Sequence, residues 1–183
     1  MDNISLQKYR EDIMATLPSV ALVYVLCDFF HAPLYAGASI SGRARARRHI
    51  TSARSDLISN RSITVHEIAY IDIYIPRVST DLNALERERI FTLNSHRPLF
   101  NTKIPKEKPE VEVPEPISFQ LIPEDELNRF RYPTSMILHQ SKALADLAEY
   151  IQTTKDNAAT RRVYKIRHNL HDYHMNNWVN NAA

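Results

Sequence analysis

Leu22–Gly37 reads LVYVLCDFFHAPLYAG, and the fold turns on it. Val20–Cys27 is an apolar, β-branched run of the right length for a strand buried on both faces. Leu34–Gly37 is a second, shorter strand, and the polar break with Pro33 between them predicts a hairpin. Gly37 and Gly42 are the chain's 2 glycines. Glycine is needed where φ is positive or a neighbour approaches closely, so spending both here marks the stretch as geometrically special.

Working outward, a helix is expected from Ser41 or Gly42 to about Leu57, then a strand over Ile63–Ile73 that Pro76 ends. Asp81–Asn94 is a further helix with Leu82, Leu85, Ile90 and Leu93 along one side. Strand–strand–helix–strand–helix is an α/β unit of the α+β kind, built on a small, mostly antiparallel sheet. It occupies residues 19–103, behind an N-terminal helix in 1–18 whose stripe is Leu6, Tyr9, Ile13 and Leu17. The segment TKIPKEKPEVEVPEPIS then alternates proline with charge, which favours extended chain, so 104–118 is expected to be a linker or an arm wrapped over the domain. Residues 119–183 are expected to be a helical extension, with amphipathic helices at Ser135–Thr153 and Thr160–Trp178.

At 183 residues the chain can hold one good-sized domain, or a small domain with an appendage, and 44% hydrophobic content is ordinary for a globular protein. The formal net charge is only +2, yet Arg43, Arg45, Arg47, Arg48, Arg54 and Arg61 face a single Asp56 between Ala38 and Arg61. A focused basic patch suggests a polyanion bound at one face, against the plainer reading of a solvated helix. Cys27 is the 1 cysteine, so no intrachain disulfide forms, and its apolar setting suggests a buried hydrophobe. The acidic N-terminus lacks a signal-peptide core, and no run reaches the about 18 apolar residues of a membrane span. A cytoplasmic protein without membrane contact is expected.

Tyr24, Tyr35, Gly37, Arg45, His49, Glu86 and Asn101 follow in order. Hydrolysing a phosphodiester requires a group to deprotonate water, charge to neutralise the phosphoryl oxygens, and stabilisation of the departing oxygen. Phenols and an imidazole move protons, a guanidinium meets phosphate, and a carboxylate with waters suits Mg²⁺ or Mn²⁺. Arg45 and His49 are four residues apart and share a helix face.

These residues resemble a GIY-YIG nuclease across Leu22–Asn101. "LVYVL" stands at the first motif, with Leu22 in place of its glycine. "LYAG" stands at the second, so Tyr24 and Tyr35 match the signature tyrosines, and Ala38 follows where relatives often carry a polar residue. Arg45 and His49 match the next helix, and "LERERI" with "RPLFN" give Glu86 and Asn101. The resemblance implies a three-stranded antiparallel sheet flanked by helices and single-metal hydrolysis of double-stranded DNA. It implies that Glu86 holds the metal, Arg45 contacts the scissile phosphate, and a tyrosine helped by His49 activates water; which tyrosine stays open.

DNA contacts are expected from Arg43, Arg47, Arg48 and Arg54, and from Arg161, Arg162, Lys165 and Arg167 in the last helix, where Tyr164 and Trp178 could stack. His168, Asp172, His171 and His174 superficially suggest an HNH or metal site but lack a second ligand cluster. No GxxxxGK[ST] loop exists, so no nucleotide cofactor is expected. The expected activity is a restriction-type, sequence-specific endonuclease cutting both strands as a homodimer. A homing endonuclease and a structure-specific repair nuclease are the enzymatic alternatives. A binding module without turnover is the non-enzymatic one.

Overall fold

Pro33 and the turn before it bring Leu22–Cys27 (β1) back against Pro33–Ser39 (β2), antiparallel, with Tyr24 opposite Gly37. The computed structural model describes residues 3–51, 55–59, 62–78, 80–154 and 156–181. Tyr70–Tyr74 (β3) pairs antiparallel with the other side of β1, placing Tyr24 opposite Ile73 and Val25 opposite Asp72.

The sheet has four strands, not the three expected. Ile117–Gln120 (β4) pairs antiparallel with β3, giving the order β2-β1-β3-β4. Four residues following Pro114 and Pro116 show too little alternation to announce a strand, and proline suits only an edge. The third strand is also shorter than Ile63–Ile73, because Val65–Glu67 coils into one 3-10 turn. Glu67 receives the Thr64 amide at 2.7 Å, a local bond that competes with extended pairing.

The helices flank this sheet. Asn3–Thr16 (α1) stands where the N-terminal helix was expected, and Arg43–Thr51 (α2) with the single turn Asp56–Ser59 (α3) stands where one helix to about Leu57 was expected. Leu82–His96 (α4) starts where the Asp81 carboxylate accepts from the Asn83 amide at 3.0 Å, capping its first turn. Glu124–Arg131 (α5) was unexpected, although three acids in its first turn suit the helix dipole. Pro133–Thr153 (α6) and Ala158–Asn181 (α7) follow.

Strand periodicity divides the core. Leu22, Tyr24, Leu26, Ile71 and Ile73 pack on one face with Met14, Ala46 and Ile50, and with Leu147 and Val163 of α6 and α7. Val23, Val25, Cys27 and Tyr74 pack on the other with Leu85 and Ile90 of α4. The arm crosses this second face, where Ile104, Val111 and Val113 add cover. The C-terminal helices are therefore part of the main core. Arg167 of α7, buried, donates from Nη1 and Nη2 to both Glu67 oxygens at 2.8 and 2.7 Å. Burial alone would raise the Glu67 carboxyl, but the Arg167 charge and hydrogen bonds outweigh it and hold it at about 2.

Cys27 is buried, and burial with help from Asp72 and Asp28 pushes its thiol up. No helix among the described residues is long and apolar enough to cross a membrane.

Candidate active site

β2 is an edge strand, and every second residue along it turns its backbone groups outward. Side chains from other elements occupy those groups. At Ala36 the Asn101 amide completes a two-bond clamp: its Oδ1 accepts from the Ala36 amide at 3.0 Å, and its Nδ2 donates to the Ala36 carbonyl at 2.7 Å. Two residues on, the Ala38 amide donates to Glu86 Oε1 at 2.9 Å, and the Ala38 carbonyl accepts from Arg45 Nη1 at 3.0 Å. α2 and α4 lie against opposite faces of the sheet, so Arg45 and Glu86 reach the same edge from two sides.

Behind that edge stands an aromatic group. The Tyr24 and Tyr35 rings are 6.3 Å apart, with His49 at 6.0 Å from the first and 5.4 Å from the second. Gly37 makes this arrangement fit, because a β-carbon there would lie 2.6 Å from the Tyr24 hydroxyl and 3.0 Å from the Tyr35 ring. Gly42, at φ 61°, lets the chain turn into α2 against Pro18, where a β-carbon would meet the Pro18 carbonyl at 2.7 Å.

The two phenols differ. Tyr35 Oη accepts from Arg45 Nη2 at 3.5 Å. The Tyr24 hydroxyl is fully buried and makes no hydrogen bond among the described residues. Burial pushes the Tyr24 phenol up, the nearby Tyr35 and Glu86 add to this, and Arg45 and Arg48 only partly oppose it. Burial works against the Arg45 charge, yet Tyr24, Tyr35 and Glu86 together raise its pKa. Ser55, which nothing in the sequence flagged, fixes the imidazole by a 2.5 Å contact between its Oγ and His49 Nδ1.

The described residues thus bring together Tyr24, Tyr35, Gly37, Arg45, His49, Glu86 and Asn101. No protein-family model, curated protein or solved structure matches the chain. The chemistry of the cluster therefore rests on its own geometry.

Glu86 is suited to a divalent ion, since Oε1 is oriented by Ala38 and Oε2 makes no hydrogen bond among the described residues. One carboxylate oxygen with a shell of waters is how Mg²⁺ is commonly held. Glu88, the other acid of "LERERI", is buried and satisfied by Arg89 at 2.6 Å and Thr92 at 2.8 Å. Asn101 is no ligand, because both its polar side-chain atoms serve Ala36.

The basic residues separate sharply. Arg47 and Arg48 of α2 are exposed, whereas Arg43 donates to the Ala15 and Leu17 carbonyls and so ties α2 to the end of α1. On α7 only Arg161 and Lys165 face outward, and Arg161 is forked on Asp156 at 2.7 Å. Arg162 is partly buried and donates to the Asn101 and Leu99 carbonyls, whereas Arg167 is sealed against the Glu67 carboxylate and presents no charge for a phosphate. These corrections share one cause: a long cation on a helix whose inner face is packed finds interior acceptors first. Arg54, Arg61 and the Trp178 side chain lie outside the described residues. His168 and His171 contact Asp172 on the exposed side of α7, at 3.0 and 3.5 Å.

Proposed function

We propose that the chain is a divalent-metal-dependent endonuclease that hydrolyses DNA phosphodiester bonds. The observation that carries this is the convergence of Arg45 and Glu86 on Ala38, beside a tyrosine pair with one hydroxyl unoccupied. A cation and a metal-binding oxygen on one strand edge suit a phosphate lying across that edge. A divalent ion on Glu86 would supply Lewis-acid stabilisation of the phosphoryl and departing oxygens.

The remaining roles belong to the side chains. Arg45 neutralises charge growing on the phosphate. Tyr35, next to that guanidinium, is the phenol better able to carry negative charge and accept a proton from water. Tyr24 stays neutral, and its buried hydroxyl donates to the water or to a phosphoryl oxygen only where bound substrate opens a path to it. His49, held by Ser55, sets the edge of the tyrosine pair and relays the proton. Asn101, whose carbonyl accepts in turn from Arg162, keeps β2 in place. Arg47 and Arg48 extend the cationic surface of α2 along the duplex. One such site cuts one strand, so restriction-type cleavage of both strands calls for a homodimer.

Supercoiled plasmid incubated with Mg²⁺ or Mn²⁺ tests this. Nicked and linear forms are expected, and Arg45→Ala should slow their appearance about 10²–10³-fold. Plasmid left supercoiled by the native chain with either ion would refute it. A second reading, binding without turnover, draws on the same hydrogen bonds: Glu86 and Arg45 already serve Ala38 and could be structural only. It predicts retarded plasmid without nicking.

A further inference from the structure

A second cluster lies at the far end of β1, on the face covered by α4, and the proposed nuclease does not use it. Cys27 is the last residue of β1, Asp72 is central in β3, and His31 sits in the turn between β1 and β2. Val25 pairs with Asp72 and Cys27 with Tyr70, so Cys27 and Asp72 are diagonal neighbours on one sheet face. Cys27 Sγ is 3.7 Å from Asp72 Oδ2, and His31 Nε2 is 2.7 Å from Asp72 Oδ1. Among the described residues this is the one group of three such side chains whose ligand atoms all lie within 4.8 Å of one another.

We infer that Cys27, His31 and Asp72 form a metal site selective for a borderline-soft divalent ion such as zinc. The donor set decides the class. Thiolate and imidazole favour zinc over magnesium or calcium, which take oxygen ligands. Thiolate and carboxylate together carry two negative charges, which balance the ion. Bond lengths of about 2.0–2.3 Å to tetrahedral zinc put ligand atoms about 3.3–3.6 Å apart. Cys27 Sγ is already near that distance from Asp72 Oδ2, while His31 Nε2 sits on the other oxygen, Oδ1, and must swing off it toward the shared ion, within reach of a side chain on a turn.

The surroundings hold the donors in place. The Asp28 carboxylate accepts from the Phe30 and Ala32 amides at 2.9 Å, and His31 takes φ 60°, which turns its imidazole back over the sheet. That ring stacks on Tyr70 at 4.4 Å and 3°. Ser118 of β4 donates to Asp72 Oδ1 at 2.6 Å, orienting the carboxylate as outer partners of metal ligands do. Three protein ligands leave a fourth position for water. On loading, the Cys27 S–H bond breaks, the proton passes to solvent and sulfur bonds the ion. The ion would join β1, β3 and the hairpin turn.

Cobalt titrated into the chelator-treated full-length chain tests this. One equivalent should give a thiolate-to-cobalt charge-transfer band in the near ultraviolet with intense tetrahedral d–d bands, and zinc should displace both. Cys27→Ser should lose the charge-transfer band, and His31→Ala, at a half-exposed turn, should raise Kd at least about tenfold. Glu86→Ala should leave the spectrum unchanged, so this site and the nuclease centre fail separately. Circular dichroism identifies folded variants, and His31→Ala decides alone if Cys27→Ser does not fold. A native chain without the charge-transfer band, or folded His31→Ala binding as tightly as native, overturns the site.

Discussion

At Gly37 the absence of one carbon sets the geometry of the candidate site. The Tyr24 ring crosses its cross-strand partner so closely that a β-carbon would fall 2.6 Å from its hydroxyl and 2.8 Å from Cζ. Gly37→Ala should cost about 1–3 kcal/mol in urea unfolding, the range for overpacking, and the loss should shrink in a Tyr24→Phe background. Tyr24→Phe separates stability from chemistry. Its hydroxyl is buried without a hydrogen-bond partner among the described residues, so removing it should leave the midpoint of thermal unfolding unchanged or slightly higher. Metal-dependent cleavage should fall about 10²-fold or more if that hydroxyl serves the reaction. A variant with lowered stability and intact cleavage would reverse the assignment. The glycine was legible because the chain has only two. The difference between the tyrosines was not, since it depends on which phenol a cation from another helix reaches.

The decisive element is β2, an edge strand whose outward backbone is taken up by side chains rather than by a fifth strand. Asn101 and Glu86 satisfy Ala36 and Ala38, covering polar groups that would otherwise invite pairing with another chain. Asn101→Ala should cost about 1–3 kcal/mol, because it strips a buried amide and carbonyl of their partners. Hydrogen exchange should show faster loss of protection at Ala36 than at Val25 in the middle of the sheet. The longer helices and the first hairpin were readable from apolar spacing. β4 and α5 were not: the one is four residues after prolines, the other a charged octapeptide held by burying Leu127. Arg167 was misread for a related reason, as sequence gives a charge but not the acceptor, here the Glu67 carboxylate.

Across the whole molecule, Glu67 and Arg167 fasten the C-terminal helix to the turn before β3. The carboxyl is held at about 2 in the folded chain, below its ordinary range. A depressed pKa stabilises fully above the unfolded value and is lost as pH falls through the folded one, so this contribution should fade between about pH 4.5 and 2. Glu67→Gln should cost about 3–5 kcal/mol at neutral pH by stranding a buried guanidinium, and should flatten the acid limb of stability against pH. An unchanged acid limb would show that the pair does not couple the helix to the core. Because α6 and α7 contribute Leu147 and Val163 to the core, the C-terminal segment is a structural partner of the candidate centre rather than an appendage. The central claim is that Glu86 holds the ion for hydrolysis. Single-turnover cleavage of end-labelled duplex, with binding followed in the same samples, tests it most directly. Native chain with Mg²⁺ or Mn²⁺ should cut while Glu86→Ala binds equally well and leaves the strands whole; equal cutting by both, or none by the native chain, would contradict it.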